Sequence, residues 1–176
     1  MAGVVRQCNV KARTPGQTGL PKHPVPRIEV TEHGVGGDFN NWRTANLPGD
    51  RKQAVLLVTD ELLGQLQAEG WPVQPGDLGE NITLAGVAEA ALKPGVRLTI
   101  GQAVLEVSEP CDPCTRLYEL PYVGTSRGPA FLRATAGRRG WYAQVLEPGT
   151  VETGAPVRLV PAESPRSAER TARGLL

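Results

Sequence analysis

Glycine and proline punctuate this chain from end to end, 21 and 16 of its 176 residues. Both residues break helices, so the sequence disfavours a helical bundle and suits many short strands joined by tight turns. At 40% hydrophobic the chain still has a core to build, and its length suits one domain. We expect that domain over residues 1–160, followed by a flexible polar tail over 161–176, where Ala, Ser, Pro, Glu and Arg replace the apolar pattern. No apolar run approaches the roughly 18 residues of a membrane helix, and Met1–Arg6 leads into polar sequence without a secretory apolar region, so a soluble cytoplasmic protein is expected. Nineteen Lys and Arg against eighteen Asp and Glu give a net charge of +1. That balance supplies no counterion-release term for nucleic acid, and neither a nucleic acid nor a membrane is expected as partner.

The apolar pattern predicts strands at Val4–Arg13, Arg27–Thr31, Gln53–Val58, Glu80–Leu84, Val96–Ile100, Gln102–Ser108, Gly140–Leu146 and Pro156–Val160. A helix is predicted from Thr59 or Asp60, either of which can cap it, to about Glu69, with Leu62, Leu63 and Leu66 as its buried stripe and Gly70-Trp71-Pro72 as its stop. Short strands at this rhythm suggest a mainly β fold, a closed or nearly closed barrel with a few inserted short helices. Trp141 and Tyr142 are neighbours on one strand, so one of them is expected to face the core, and packing is their expected role.

The chemistry concentrates in Glu109-Pro110-Cys111-Asp112-Pro113-Cys114-Thr115-Arg116. Two prolines pin this segment, and a short helix could begin at Pro113, aiming the Cys114 sulfur at helix-terminal amides. A helix N-terminus or a nearby cation lowers a thiol pKa from about 8.5, which favours the thiolate as nucleophile or soft metal ligand. Arg116 is the nearest candidate cation in the sequence. Three cysteines, Cys8, Cys111 and Cys114, are an odd number for a disulfide scaffold. Zinc would need further ligands, and Cys8, His23 and His33 stand at no standard spacing. Two other readings stay open: both thiols simply packed inside a non-catalytic barrel that binds a small anion or a protein, or a CxxC dithiol oxidoreductase.

Elsewhere, His33-Gly34-Val35-Gly36-Gly37-Asp38 reads as a loop whose glycines let the backbone approach a ligand, with Asp38 either ordering that ligand or ending a turn. Asn81 could bond a pterin or phosphate, or be an exposed edge residue. Arg43, Arg116, Arg138 and Arg139 are candidate phosphate contacts against the alternative of solvated surface arginines.

Several segments in order resemble the MOSC domain, the module shared by molybdenum-cofactor sulfurases, the mitochondrial amidoxime-reducing proteins and many small bacterial proteins. They are Gly36-Gly37-Asp38, Gln53-Ala54-Val55-Leu56-Leu57, Pro75-Gly76-Asp77-Leu78-Gly79-Glu80-Asn81-Ile82-Thr83, Ile100-Gly101-Gln102, Pro113-Cys114-Thr115-Arg116-Leu117 and Arg139-Gly140-Trp141-Tyr142-Ala143. The resemblance implies a barrel in which Cys114 is the catalytic residue, carrying sulfane sulfur as a persulfide or ligating molybdenum held by a pterin dithiolene. It implies molybdenum cofactor bound near Gly37, Asp38, Asn81, Arg116 and Arg139. A reductase of N-hydroxylated compounds with an electron-transfer partner, or a carrier served by a cysteine desulfurase or a molybdoenzyme as sulfur donor or acceptor, would follow. No pyridoxal phosphate is expected on this chain. Family members often carry a basic residue where Cys111 stands here, a departure that opens a Cys111–Cys114 disulfide.

Overall fold

The computed structural model describes residues 2–39 and 49–161. The expected tail beyond 161 and Arg43 lie outside the described residues. Eleven strands and two α-helices are described: β1 Ala2–Val10, β2 His23–Val25, β3 Arg27–Thr31, β4 Gly34–Val35, β5 Val55–Thr59, α1 Asp60–Ala68, β6 Ile82–Ala85, β7 Arg97–Ile100, β8 Ala103–Pro110, α2 Gly124–Thr135, β9 Trp141–Glu147, β10 Gly149–Glu152 and β11 Pro156–Val160. Single 3-10 turns lie at Glu89–Ala91 and Thr115–Glu119. No described helix is long and apolar enough to cross a membrane.

β11, β7, β8, β9, β5, β6 and β1 pair in that order, and β1 pairs again with β11, so seven strands close into a barrel. One edge of β1 meets β6 through Val4–Cys8, while β11 takes Ala2–Val4 and β2 takes Cys8–Val10. Closure leaves no barrel strand with an open ladder, the usual solution to the sheet-edge problem. The one parallel pair is β5–β6, joined across α1, as parallel neighbours require a crossover. A second small sheet, β10-β3-β4, packs beside the barrel.

Side-chain alternation along β5 explains why the whole strand is buried. Val55 and Leu57 point into the barrel core with Val5, Leu84, Leu98, Leu105 and Val157, whereas Val58 belongs to an outer cluster. That outer layer is built by Leu62, Leu63 and Leu66 of α1, Phe131 of α2, and Trp71, Leu78, Leu117 and Leu120 from the connecting segments. Each such side chain removed from water contributes about 1.5–3 kcal/mol. α1 forms where its pattern puts it: the Thr59 hydroxyl accepts from Leu62 N at 3.2 Å, Asp60 and Glu61 favour the helix N-terminus, and Gly70 leaves at φ +90°.

α2 is not among the predicted elements, and it contains Gly124, Gly128 and Pro129, all helix-breaking residue types. Tertiary packing overrides them. Phe131 stacks at 4.8 Å from Trp71 and meets Tyr122 edge-on at 6.2 Å, and the Arg127 guanidinium lies 4.3 Å over the Trp71 ring. Gly128 is required by contact, since a Cβ there would overlap the Tyr118 ring.

Candidate functional site

A cavity of about 690 Å³ opens where the barrel meets the outer layer. Its wall includes Leu56 of β5, the loop after β4, Asn81, Glu109 and Pro110 of β8, the segment Asp112–Cys114, Arg139 and Tyr142. Of the residues expected at the site, Asp38, Asn81, Cys114, Arg116 and Arg139 line this space, and Gly37 does not. Gly37 is exposed and sits at φ +74°, so its part is to let the backbone turn Asp38 inward.

Asp38 and Asn81 are tied up by protein partners. One Asp38 oxygen accepts from Lys11 N at 2.9 Å; the other accepts from Asn81 Nδ2 at 2.9 Å and from the Lys22 ammonium. The Asn81 carbonyl oxygen accepts from Leu56 N at 3.2 Å, and its Nδ2 also reaches Asn9 O at 3.4 Å. Asn81 is therefore a buried strut joining β1, β5 and the Asp38 loop, not an exposed edge residue. Lys22 had no place in the sequence reading. It is buried against the cavity, and burial lowers its pKa although Asp38 pulls the other way.

Behind this pair Glu80 is fully buried, accepting from Gly76 N at 2.7 Å and Thr83 Oγ1 at 3.0 Å, with its other oxygen unpartnered. Burial pushes it up to about 7, against the hydrogen bonds from Gly76 and Thr83.

The two cysteines of the CxxC pair have opposite environments. Cys111 is 2% exposed, its amide donates to Gly140 O at 2.9 Å, and burial pushes its thiol pKa up, with Arg139 opposing. Cys114 is exposed and lies on the cavity wall. No helix begins at Pro113; Cys114 instead precedes the 3-10 turn in extended backbone at φ −140° and makes no side-chain cap. No turn or bend interrupts 111–114. Both residues are free thiols.

The cation at Cys114 is Arg139 rather than Arg116. Arg116 is half exposed and pairs with Glu119 at 3.6 Å. Arg139 is 8% exposed, and its Nη1 donates to the Cys114 sulfur at 3.4 Å and to Asp112 O at 2.8 Å. Its Nε and Nη2 donate to Leu78 O at 3.3 and 3.2 Å. Among the described residues no carboxylate pairs with this guanidinium. Burial opposes its charge, but the Cys111 and Cys114 sulfurs and the Tyr142 phenol outweigh that and hold its pKa above the ordinary value. The arginine is placed by Gly140, at φ +101°, where a Cβ would overlap the Leu57 carbonyl of β5.

Arg138 turns away from the cavity, donating to Ala134 O at 2.6 Å and pairing with Glu69. Trp141 packs against the barrel core and donates to Glu89 at 2.9 Å, whereas Tyr142 faces the cavity, a place that packing alone did not anticipate.

Comparison with known proteins identifies the family and the fold. The family model described as MOSC domain matches residues 36–158, more than half of the chain. The chain is 35% identical over 82 residues to protein YiiM of Escherichia coli, which is 47% of this chain and 35% of that protein. It is 34% identical over 89 residues to the uncharacterized protein YflK of Bacillus subtilis, 51% of this chain and 39% of that one. The matched segments thus span little more than a third of these two relatives. Among solved structures, the YuaD protein of Bacillus subtilis superposes with a TM-score of 0.73 at 21% identity, covering 90% of this chain and 96% of that one. YiiM from Geobacillus stearothermophilus gives 0.67 at 28% identity, covering 90% and 75%.

Proposed function

Because the chain belongs to the MOSC domain family, we propose that it binds the molybdenum cofactor or handles its sulfur, through the Cys114 thiolate. One observation carries this reading: of the three cysteines only Cys114 is exposed, on a cavity wall, with its sulfur against a buried guanidinium that no described carboxylate neutralises. A soft sulfur donor beside a fixed cation suits an anionic persulfide or a thiolate bound to a thiophilic metal.

The donor set fits the cofactor. Cys114 would be the one protein ligand, and Arg139 and Lys22, both on the cavity wall, carry the cationic donors that face an anionic group. When bound, the cofactor supplies a molybdenum centre able to exchange oxygen and sulfur groups. Asp38 and Asn81 act at one remove, by holding Lys22 and the loop in position. With the cofactor in place and an electron-transfer partner, the activity is reduction of N-hydroxylated compounds. With sulfur alone, the protein is a carrier between a cysteine desulfurase and a molybdoenzyme. The burial of Cys111 favours one-thiol chemistry of either kind over dithiol exchange.

Protein purified from its own source is expected to hold molybdenum or cyanide-labile sulfur, and Cys114→Ala is expected to hold neither. Elemental analysis and cyanolysis read both, and a Cys114→Ala protein that keeps its full complement ends the proposal.

A further inference from the structure

Two cationic side chains on the cavity wall keep donors that the protein does not use. The guanidinium of Arg139 has five N–H groups; four are directed at Leu78 O, Asp112 O and the Cys114 sulfur, which leaves one on Nη2 without a partner among the described residues. That nitrogen lies beside Gly79, another wall residue, where an added Cβ would come within 3.6 Å of it. The Leu20 side chain packs closer still to that position, 2.7 Å from the added Cβ, so Gly79 makes room for Leu20 and Arg139 together. Lys22 reaches the same wall with three ammonium protons; Asp38 is its one hydrogen-bond partner among the described residues, and Glu80 also acts on its charge. Its side chain is only 6% exposed, so its remaining donors are not simply solvated surface groups. A buried cation with unused donors at the rim of a cavity needs an anion to complete it.

From this arrangement we infer that the sulfur partner of Cys114 is a small sulfur oxyanion, sulfite as acceptor and thiosulfate as donor, seated on Arg139 and Lys22. The inference rests on the sulfur-handling reading and adds its co-substrate. In the accepting direction the sulfite lone pair attacks the outer sulfur of the Cys114 persulfide, forming the sulfur–sulfur bond of thiosulfate. The bond between Sγ and the outer sulfur breaks, and its electron pair stays on Sγ as the Cys114 thiolate, which Arg139 already faces. Charge balances, a persulfide anion and a sulfite dianion giving a thiolate and a thiosulfate dianion, and no oxidant, reductant or proton is required. Run in reverse, thiosulfate loads Cys114 and leaves as sulfite.

The test is to incubate the full chain with thiosulfate, measuring its intact mass and the sulfite released. The expected result is one added sulfur per chain, mapped to Cys114, with one sulfite released. Sulfate, the unreactive oxyanion, should raise the thiosulfate concentration that gives half-maximal loading rate without changing the maximal rate, an effect that needs no variant. Lys22→Met should raise that concentration about tenfold, the usual scale for losing a charge-assisted contact. In parallel the chain is loaded with glutathione persulfide, which has no oxyanion group at its sulfane sulfur. If Cys114 accepts sulfur from the persulfide and not from thiosulfate, or if sulfate fails to compete, the oxyanion inference falls while the carrier reading stands. If neither donor loads Cys114, both fall.

Discussion

At the scale of single residues, the site is defined by contrasts between neighbours of the same type. Iodoacetamide is expected to modify Cys114 alone in the native protein and all three cysteines in denaturant, because Cys8 and Cys111 are buried. Rapid native labelling at 111, read by peptide mapping, would contradict the described burial.

Glu80 gives a prediction of a different kind. Its folded pKa of about 7 lies above the ordinary 4.5, so between those values the folded state keeps a proton that the unfolded chain has lost. The associated stability is complete below 4.5 and disappears as pH rises through 7. Glu80→Gln cannot ionise, so relative to the natural protein it should gain up to about 3 kcal/mol between pH 5 and pH 8, measured by urea unfolding. A difference that stays flat over this range would show that the carboxyl is not held neutral. Neither the role of Glu80 nor that of Arg139 beside Cys114 was legible in the sequence. Arg116 stands closest to Cys114 along the chain, but Arg139 is closest in space, and a Lys22 or Glu80 that will be buried is spelled like any surface charge.

Secondary structure was readable wherever local preference and tertiary demand coincide. β11 runs over Pro156–Val160 as its alternation predicts, and α1 starts at the Thr59 cap with its three-leucine stripe turned inward. β5 and β6 lie within a residue or two of the apolar runs that announce them, and β1 ends at Val10 rather than Arg13. The missed strands share one cause. β2, β4 and β10 are two to four residues long, too short to show a period, and they exist because a neighbouring ladder recruits them.

α2 carries two glycines and a proline and owes its helix to Phe131, Trp71 and Tyr118. Gly128→Ala, normally favourable in a helix, should therefore destabilise the fold by about 1–3 kcal/mol through collision with Tyr118. Trimming the ring with Tyr118→Leu should recover part of that loss in the double variant, a coupling that thermal unfolding of the four proteins would reveal. Strict additivity would mean that the two side chains do not meet.

Across the whole molecule, two apolar layers share a single strand. β5 faces the barrel core with Val55 and Leu57 and the helical layer with Val58, so neither layer can loosen without uncovering it. Amides of β5 and β6 should accordingly be the slowest to exchange with deuterium, while those of β2 and β4, at the margins of their sheets, should exchange first. Exchange mass spectrometry showing uniform protection would argue against this hierarchy.

The same strand supplies the carbonyl against which Gly140 is wedged, immediately after the arginine that meets the sulfur. One half of the reactive pair is thereby welded to the stiffest part of the protein, and the other rides on the short stretch 111–114, which holds Pro113 and has no regular ladder of its own. Any tuning of this centre, by a docking protein or by drift of the sequence, has its leverage on the sulfur's side, with the guanidinium serving as the fixed reference against which the thiol is moved.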